Sequence, residues 1–270
     1  MPFRVIEGRT HWQRRNRREG LVHLAWWLLG AVAFMLSARF IAEQTVWWFV
    51  LDAPRQALDL FSRMVPPDWA YSQRLWRALW DTVNIATLGT LVALVVANPN
   101  AFFAARNTTP HPLLRQIALV VIAVSRSVNA LIWALILVTV IGPGMMAGIL
   151  AIGLRAVGFI SKLLYEAIEE VSPTSVESVV STGASKGQVL AYAVVPQILP
   201  ALIGITVFRW DINIRASTVL GLVGAGGIGL QLNAAVSAMN WNRASMIFIL
   251  IFGLVLVSEW VSAKARGAVT

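Results

Sequence analysis

Between Arg209 and Gly229 the chain reads RWDINIRASTVLGLVGAGGIG, and most of the chemistry available to this sequence is concentrated there. Arg209, Asp211, Asn213 and Arg215 interrupt an otherwise apolar run, and Gly224, Gly226 and Gly229 complete a G-x-G-x-x-G spacing of the kind that cradles a pyrophosphate. That fingerprint works only between a strand and a helix, with an acid about 20 residues further on to hold the ribose. Here the preceding chain is apolar for the length of a membrane span, and the downstream acid is Glu259, inside the last apolar run. No G-x-x-x-x-G-K-[ST] phosphate loop occurs either, so the chain is not expected to bind or hydrolyse nucleotide itself. Gly221, Gly224, Gly226, Gly227 and Gly229 are expected to serve as a gate or hinge, allowing close helix approach or a sharp turn at the outer end of a span.

The charges ask for a different explanation. An ionisable side chain at bilayer depth costs about 2.5–3.5 kcal/mol on insertion scales, so it should face protein or water. Asp211 and Arg215 are four apart with the acid first, the favourable order for an ion pair along one helix, and are expected to brace the structure. Arg209 and Asn213 share another face that carries no acid, which makes them candidates for a translocation pathway that accepts an anion. Arg126 and Asn129, with Trp133, follow helical spacing in an earlier apolar run and are further pathway candidates, while Arg155 is one more cation without an evident partner. No catalytic residue is expected. There is no cysteine, the three histidines (His11, His23, His111) are scattered, and no nucleophile–base pair or metal-ligand set recurs at a useful spacing.

These residues must be positioned by membrane helices. Of 270 residues, 57% are hydrophobic and 13% charged, and the mean hydropathy is +0.69, well beyond a soluble domain. Six runs reach spanning length: Leu21–Ile41, Leu79–Phe103 (broken late by Asn98-Pro99), Leu113–Ile141, Met145–Leu164, Leu190–Leu220 and Ala244–Val261. The net charge of +9 raises nucleic acid as a partner, but six arginines fall in the first eighteen residues beside an apolar run and read as membrane orientation instead. A basic segment over residues 1–20 is therefore expected in the cytoplasm, and an even number of spans returns the C-terminus, with Lys264 and Arg266, to the same side. Arg55, Arg63, Arg74 and Arg77 oppose that orientation, because they fall in the loop it places outside. The stretch 42–78, rich in Trp and Phe but mixed with charge, is expected to lie as an external amphipathic segment on the membrane face. The remainder, residues 21–270, reads as one all-α, polytopic membrane domain.

Between the fourth and fifth runs the chain turns polar, over about residues 169–189. Thr174 with Glu177, and Ser185 with Gln188, each fit a capping box, and Gly183 between them suits a left-handed helix end. A helix, a glycine turn and a second helix follow.

Within this loop Glu177-Ser178-Val179, Gly183 and Ala193-x-Val195-Pro196 keep the spacing of the E-A-A, G, I-x-L-P loop of ABC-importer permeases, departing at Ser178, Val179, Ala193 and Val195. Together with MVPPDW at Met64 to Trp69, EAIEEV at Glu166 to Val171 and the Arg209–Gly229 segment, the chain from about Val65 onward resembles the phosphonate, phosphate and phosphite branch of those permeases. The resemblance implies the type I importer permease fold with about six spans, in a bacterial inner membrane, as a homodimer. It implies a cytoplasmic ATPase dimer that binds ATP and magnesium, this chain holding no cofactor, and an extracytoplasmic binding protein that delivers a small oxyanion. Thr174, Glu177, Gly183, Ala184, Ser185, Lys186 and Gly187 would then couple to the ATPase. The residues alone leave open another small solute, or an anion channel or secondary transporter.

Overall fold

The computed structural model describes residues 3–6, 9–12 and 17–267, with side chains from Glu19 onward. The chain divides into two units, Met1–Leu60 and Phe61–Thr270. In the first, β1 (Phe3–Ile6) and β2 (Arg9–Trp12) form an antiparallel ribbon with Phe3 opposite Trp12. This ribbon is the one departure from an all-helical chain among the described residues. The side chains of the arginine-rich segment up to residue 18 lie outside them. α1 (Arg17–Gln44) follows, 28 residues long and about 42 Å in length, with none of its described side chains buried. α2 (Trp47–Met64) begins in this unit, and Asp52, Arg55, Gln56, Asp59 and Arg63 recur at helical spacing along it, giving it a polar stripe and an apolar one.

The second unit holds α3 (Ser72–Ala104), α4 (Pro112–Ser127), α5 (Ala130–Ile141), α6 (Met145–Glu169), α7 (Pro173–Val180), α8 (Lys186–Val189), α9 (Val195–Leu220), α10 (Ile228–Ser237) and α11 (Trp241–Gly267). Its centre is the contact of α3 with α6, lined by small residues: Ala86, Ala93 and Ala97 on one side and Ala147, Ala151 and Ala156 on the other are fully buried. Lipid is as apolar as leucine, so helices in a bilayer gain little by hiding leucine and much by close packing, which small residues permit.

The ends of these helices fix how often the chain crosses. At the close of α3 the Arg106 amide donates to Glu169 Oε1 at 2.8 Å, and Asn107 Nδ2 donates to the Ile168 carbonyl at 2.6 Å, so α3 and α6 end on the same side. The chain between them must cross back, and it does so through α4 and α5, which meet at 89°. At 12 residues, about 18 Å, α5 cannot span a hydrocarbon core of about 30 Å alone. Among the described residues five helices are long and apolar enough to cross, and the bent pair makes a sixth crossing, the number of runs expected.

Two expectations from sequence change. Asn98-Pro99 does not break the second span: α3 runs unbroken through Pro99 to Ala104, held by its seam against α6. The third run is not one helix. Asn129 Oδ1 accepts the Leu131 amide at 3.2 Å and starts α5, and Arg155 Nη1 of α6 donates to the Val128 carbonyl at 3.2 Å, satisfying the end of α4. A short polar side chain that can bond its own backbone competes with helix continuation, and here it prevails.

Candidate functional site

α8, one π-helical turn at Leu190–Val194, α9 and a 3₁₀ turn at Gly221–Val223 form a single rod from Lys186 to Val223, 38 residues long. Its buried charged residues lie just past its midpoint. Arg209, Asp211 and Asn213 are 5%, 4% and 1% exposed, which makes the centre of an apolar helix the most polar buried place in the unit.

Each of the three has a different environment. Asp211 Oδ2 accepts from Arg215 Nη2, and its Oδ1 accepts from Ser258 Oγ of α11 at 2.8 Å, so the carboxylate ties a turn of α9 to a neighbouring helix. Asn213 Nδ2 donates to Thr90 Oγ1 of α3 at 2.9 Å, while its Oδ1 has no protein partner. Arg209 lies with its guanidinium carbon 4.9 Å from the centre of the Phe159 ring, its Nε has no hydrogen-bond partner, and no carboxylate lies within ion-pair distance among the described residues. Arg155 stands one turn before Phe159 on the same face of α6.

Arg126 and Asn129 are both exposed and lie on opposite sides of the α4–α5 bend, so the shared helical face read from their spacing with Trp133 does not exist. Asn129 spends its carbonyl oxygen on the start of α5, and neither residue makes a polar contact with the α9 cluster among the described residues.

At the far end of the rod the glycines form one compact turn. Gly224, Gly226 and Gly227 take positive φ of 87°, 84° and 73°. Gly221 and Gly229 pack against each other so closely that a Cβ at Gly221 would come within 2.6 Å of the Gly229 Cα, and one at Gly229 would collide with the Thr218 carbonyl. The turn is pinned to its surroundings by backbone: Gly144 N donates to the Gly224 carbonyl at 3.0 Å, and Ile228 N donates to Thr82 Oγ1 of α3 at 2.8 Å.

At the opposite end lies the polar loop. α7 starts with Pro173 in its first turn after Ser172, so Thr174 and Glu177 sit inside the helix and do not form the capping box their spacing indicates. The second box is present: Gln188 Oε1 accepts the Ser185 amide at 2.8 Å, opening α8 at Lys186 and Gly187. Gly183 has φ +81° and, with Ala184, forms the turn between the two helices.

Sequence reasoning missed the acceptors on α3. Thr82, Thr87 and Thr90 receive Ile228 N, Trp210 Nε1 (3.0 Å) and Asn213 Nδ2, and stitch α9 and α10 to the central helix. Three threonines within nine residues of an apolar span were the available signal. Phe159, under the Arg209 guanidinium, gave none.

Residues 97–263 match the family of binding-protein-dependent transport system inner membrane components. The chain is 38% identical over 252 residues to the phosphite transport system permease protein PtxC of Stutzerimonas stutzeri, covering 90% of each chain. It is also 38% identical over 211 residues to the phosphate-import permease protein PhnE of Mycolicibacterium smegmatis, covering 78% of this chain and 40% of that one. In fold it resembles the inward-facing MetNI methionine ABC transporter, with a TM-score of 0.65 at 20% identity over 75% of this chain and 99% of that chain.

Proposed function

Because the chain belongs to the family of binding-protein-dependent transport system inner membrane components, we propose that it forms half of the membrane pathway of an ABC importer for phosphite, phosphonate or phosphate. It is a multi-pass transport component and not an enzyme; the importer's ATPase and binding protein are separate chains. The observation that carries the anion preference is Arg209: a guanidinium 5% exposed at the middle of a membrane helix, with no carboxylate to neutralise it. A fixed cation at that depth is costly unless a passing anion uses it.

In this reading two copies of the chain face each other, so that each cation on the pathway appears twice. The loop from Thr174 to Gly187, with its two short helices set about Gly183, docks on the ATPase and passes its movement to α9 through α8. Both termini lie in the cytoplasm. The glycine turn at the outer end of α9 forms the gate that the binding protein addresses, and Asp211 with Arg215 holds the helix in register.

The test is reconstitution with the ATPase and binding protein in liposomes, with methionine as a solute outside the class. ATP-dependent uptake of phosphite, phosphate or methylphosphonate supports the proposal. Uptake of none of the three sinks it. Crosslinking of singly labelled chains into a dimer is expected; a partner permease of different sequence in the purified assembly would overturn the homodimer.

A further inference from the structure

Arg209 is only half of an unresolved charge problem. Arg155, on the facing helix, is partly buried, has one hydrogen bond, to the Val128 carbonyl, and likewise has no carboxylate within ion-pair distance among the described residues. Phe159, under the Arg209 guanidinium of α9, lies one turn on from Arg155 along α6, so the packing of α6 on α9 brings both arginines to the side of the Phe159 ring. A buried cation is ordinarily paired or hydrogen-bonded at each donor, and like charges in a poorly solvated space raise each other's cost. Here the buried member keeps an Nε donor idle, and the other uses one nitrogen on a helix end, leaving its remaining donors unassigned. The Phe159 face offsets part of the charge of Arg209. It offers no acceptor for the N–H groups.

The geometry points to a resident oxyanion site within the permease itself, in which Arg155 and Arg209 together hold a tetrahedral oxyanion beside Phe159. This rests on the transport reading above and deepens it, because that reading requires only a positive pathway, whereas a resident site makes the permease a second point of substrate selection. Guanidinium groups donate paired N–H bonds to two oxygens of one phosphorus centre, and two of them balance a doubly charged anion better than a singly charged carboxylate. Phe159 would exclude water from one side.

Ligand-observed ³¹P NMR of inorganic phosphate, with the full chain purified alone in dodecyl maltoside, reads such weak binding directly. Line broadening by the wild-type chain, reversed by excess methylphosphonate, is expected, and Arg74→Gln, an exposed arginine outside the site, should match it. Arg155→Gln and Arg209→Gln should each lose at least fivefold in apparent affinity. Arg155→Lys should bind several-fold more weakly than wild type, since an ammonium lacks the bidentate fork, and it decides the question if the Gln variant does not fold. No broadening by wild type, or wild-type binding by the Gln variants or by Arg155→Lys, overturns the site. A wild type that transports phosphate but does not broaden its signal removes the resident site and leaves the transport function standing; binding without uptake of any of the three anions does the reverse.

Discussion

At the scale of single residues, the α9 cluster separates charges that hold the helix from a charge that is left over. The Asp211–Arg215 pair is unequal: the carboxylate side chain is 6% exposed and the guanidinium 46%. Removing the exposed partner therefore hurts more. Arg215→Ala leaves a buried carboxylate with only the Ser258 hydroxyl, at a cost of roughly 3 kcal/mol, whereas Asp211→Ala leaves a cation that can turn to water, at about 1–2 kcal/mol. Thermal unfolding in detergent should show the larger loss for Arg215→Ala and partial recovery in the double alanine variant; equal losses would contradict the asymmetry. Arg209→Ala should behave otherwise, with near-normal expression and uptake down at least tenfold; uptake at the wild-type rate would remove Arg209 from the pathway. The i,i+4 pair was legible because its chemistry is local. Asn213 was not, since its partner Thr90 stands 123 residues away and only the packing of α3 on α9 brings them together.

At the scale of elements, the two glycine-bearing turns make opposite demands. A Cβ at Gly183 would meet no atom within 4 Å, so the requirement there is the positive φ alone. Asn, which tolerates the left-handed region, should keep most ATP-driven uptake, Ala should lose part of it at about 1–2 kcal/mol of local strain, and Val should lose most while still inserting. Uptake by Gly183→Val equal to wild type would show that the turn's shape is immaterial to coupling. Gly229 is limited by space instead, so Gly229→Ala should lower the yield of folded protein, whereas Gly187→Ala, with open space around it, should not. Size-exclusion profiles of the two distinguish these cases. Span number was readable from apolar run length, and Gly183 and the Ser185 box from local helix-end chemistry. The α4–α5 bend was hidden because Asn129 is an ordinary residue until its carbonyl oxygen finds the Leu131 amide, and the carbonyl that the bend exposes is met by Arg155, 27 positions on.

For the whole molecule, the contacts at helix ends place residues 106–112 and 169–186 on one side and 142–144 with 221–228 on the other. The chain has no cysteine, so single cysteines can be read without background. Positions Lys186 and Lys264 should label from the cytoplasm and Asp52 from outside; labelling of Lys186 from outside would invert the orientation and leave the ATPase without its dock. The rod from Lys186 to Val223, about 57 Å long, has a further consequence. In the proposed reading one helix carries both the end that docks on the ATPase and the arginine that meets the anion, so the two binding events share a single thermodynamic cycle. Whatever factor ATPase docking then applies to anion affinity at Arg209, the anion applies to ATPase affinity at the loop, so a mutation that changes this coupling factor changes it equally in both directions.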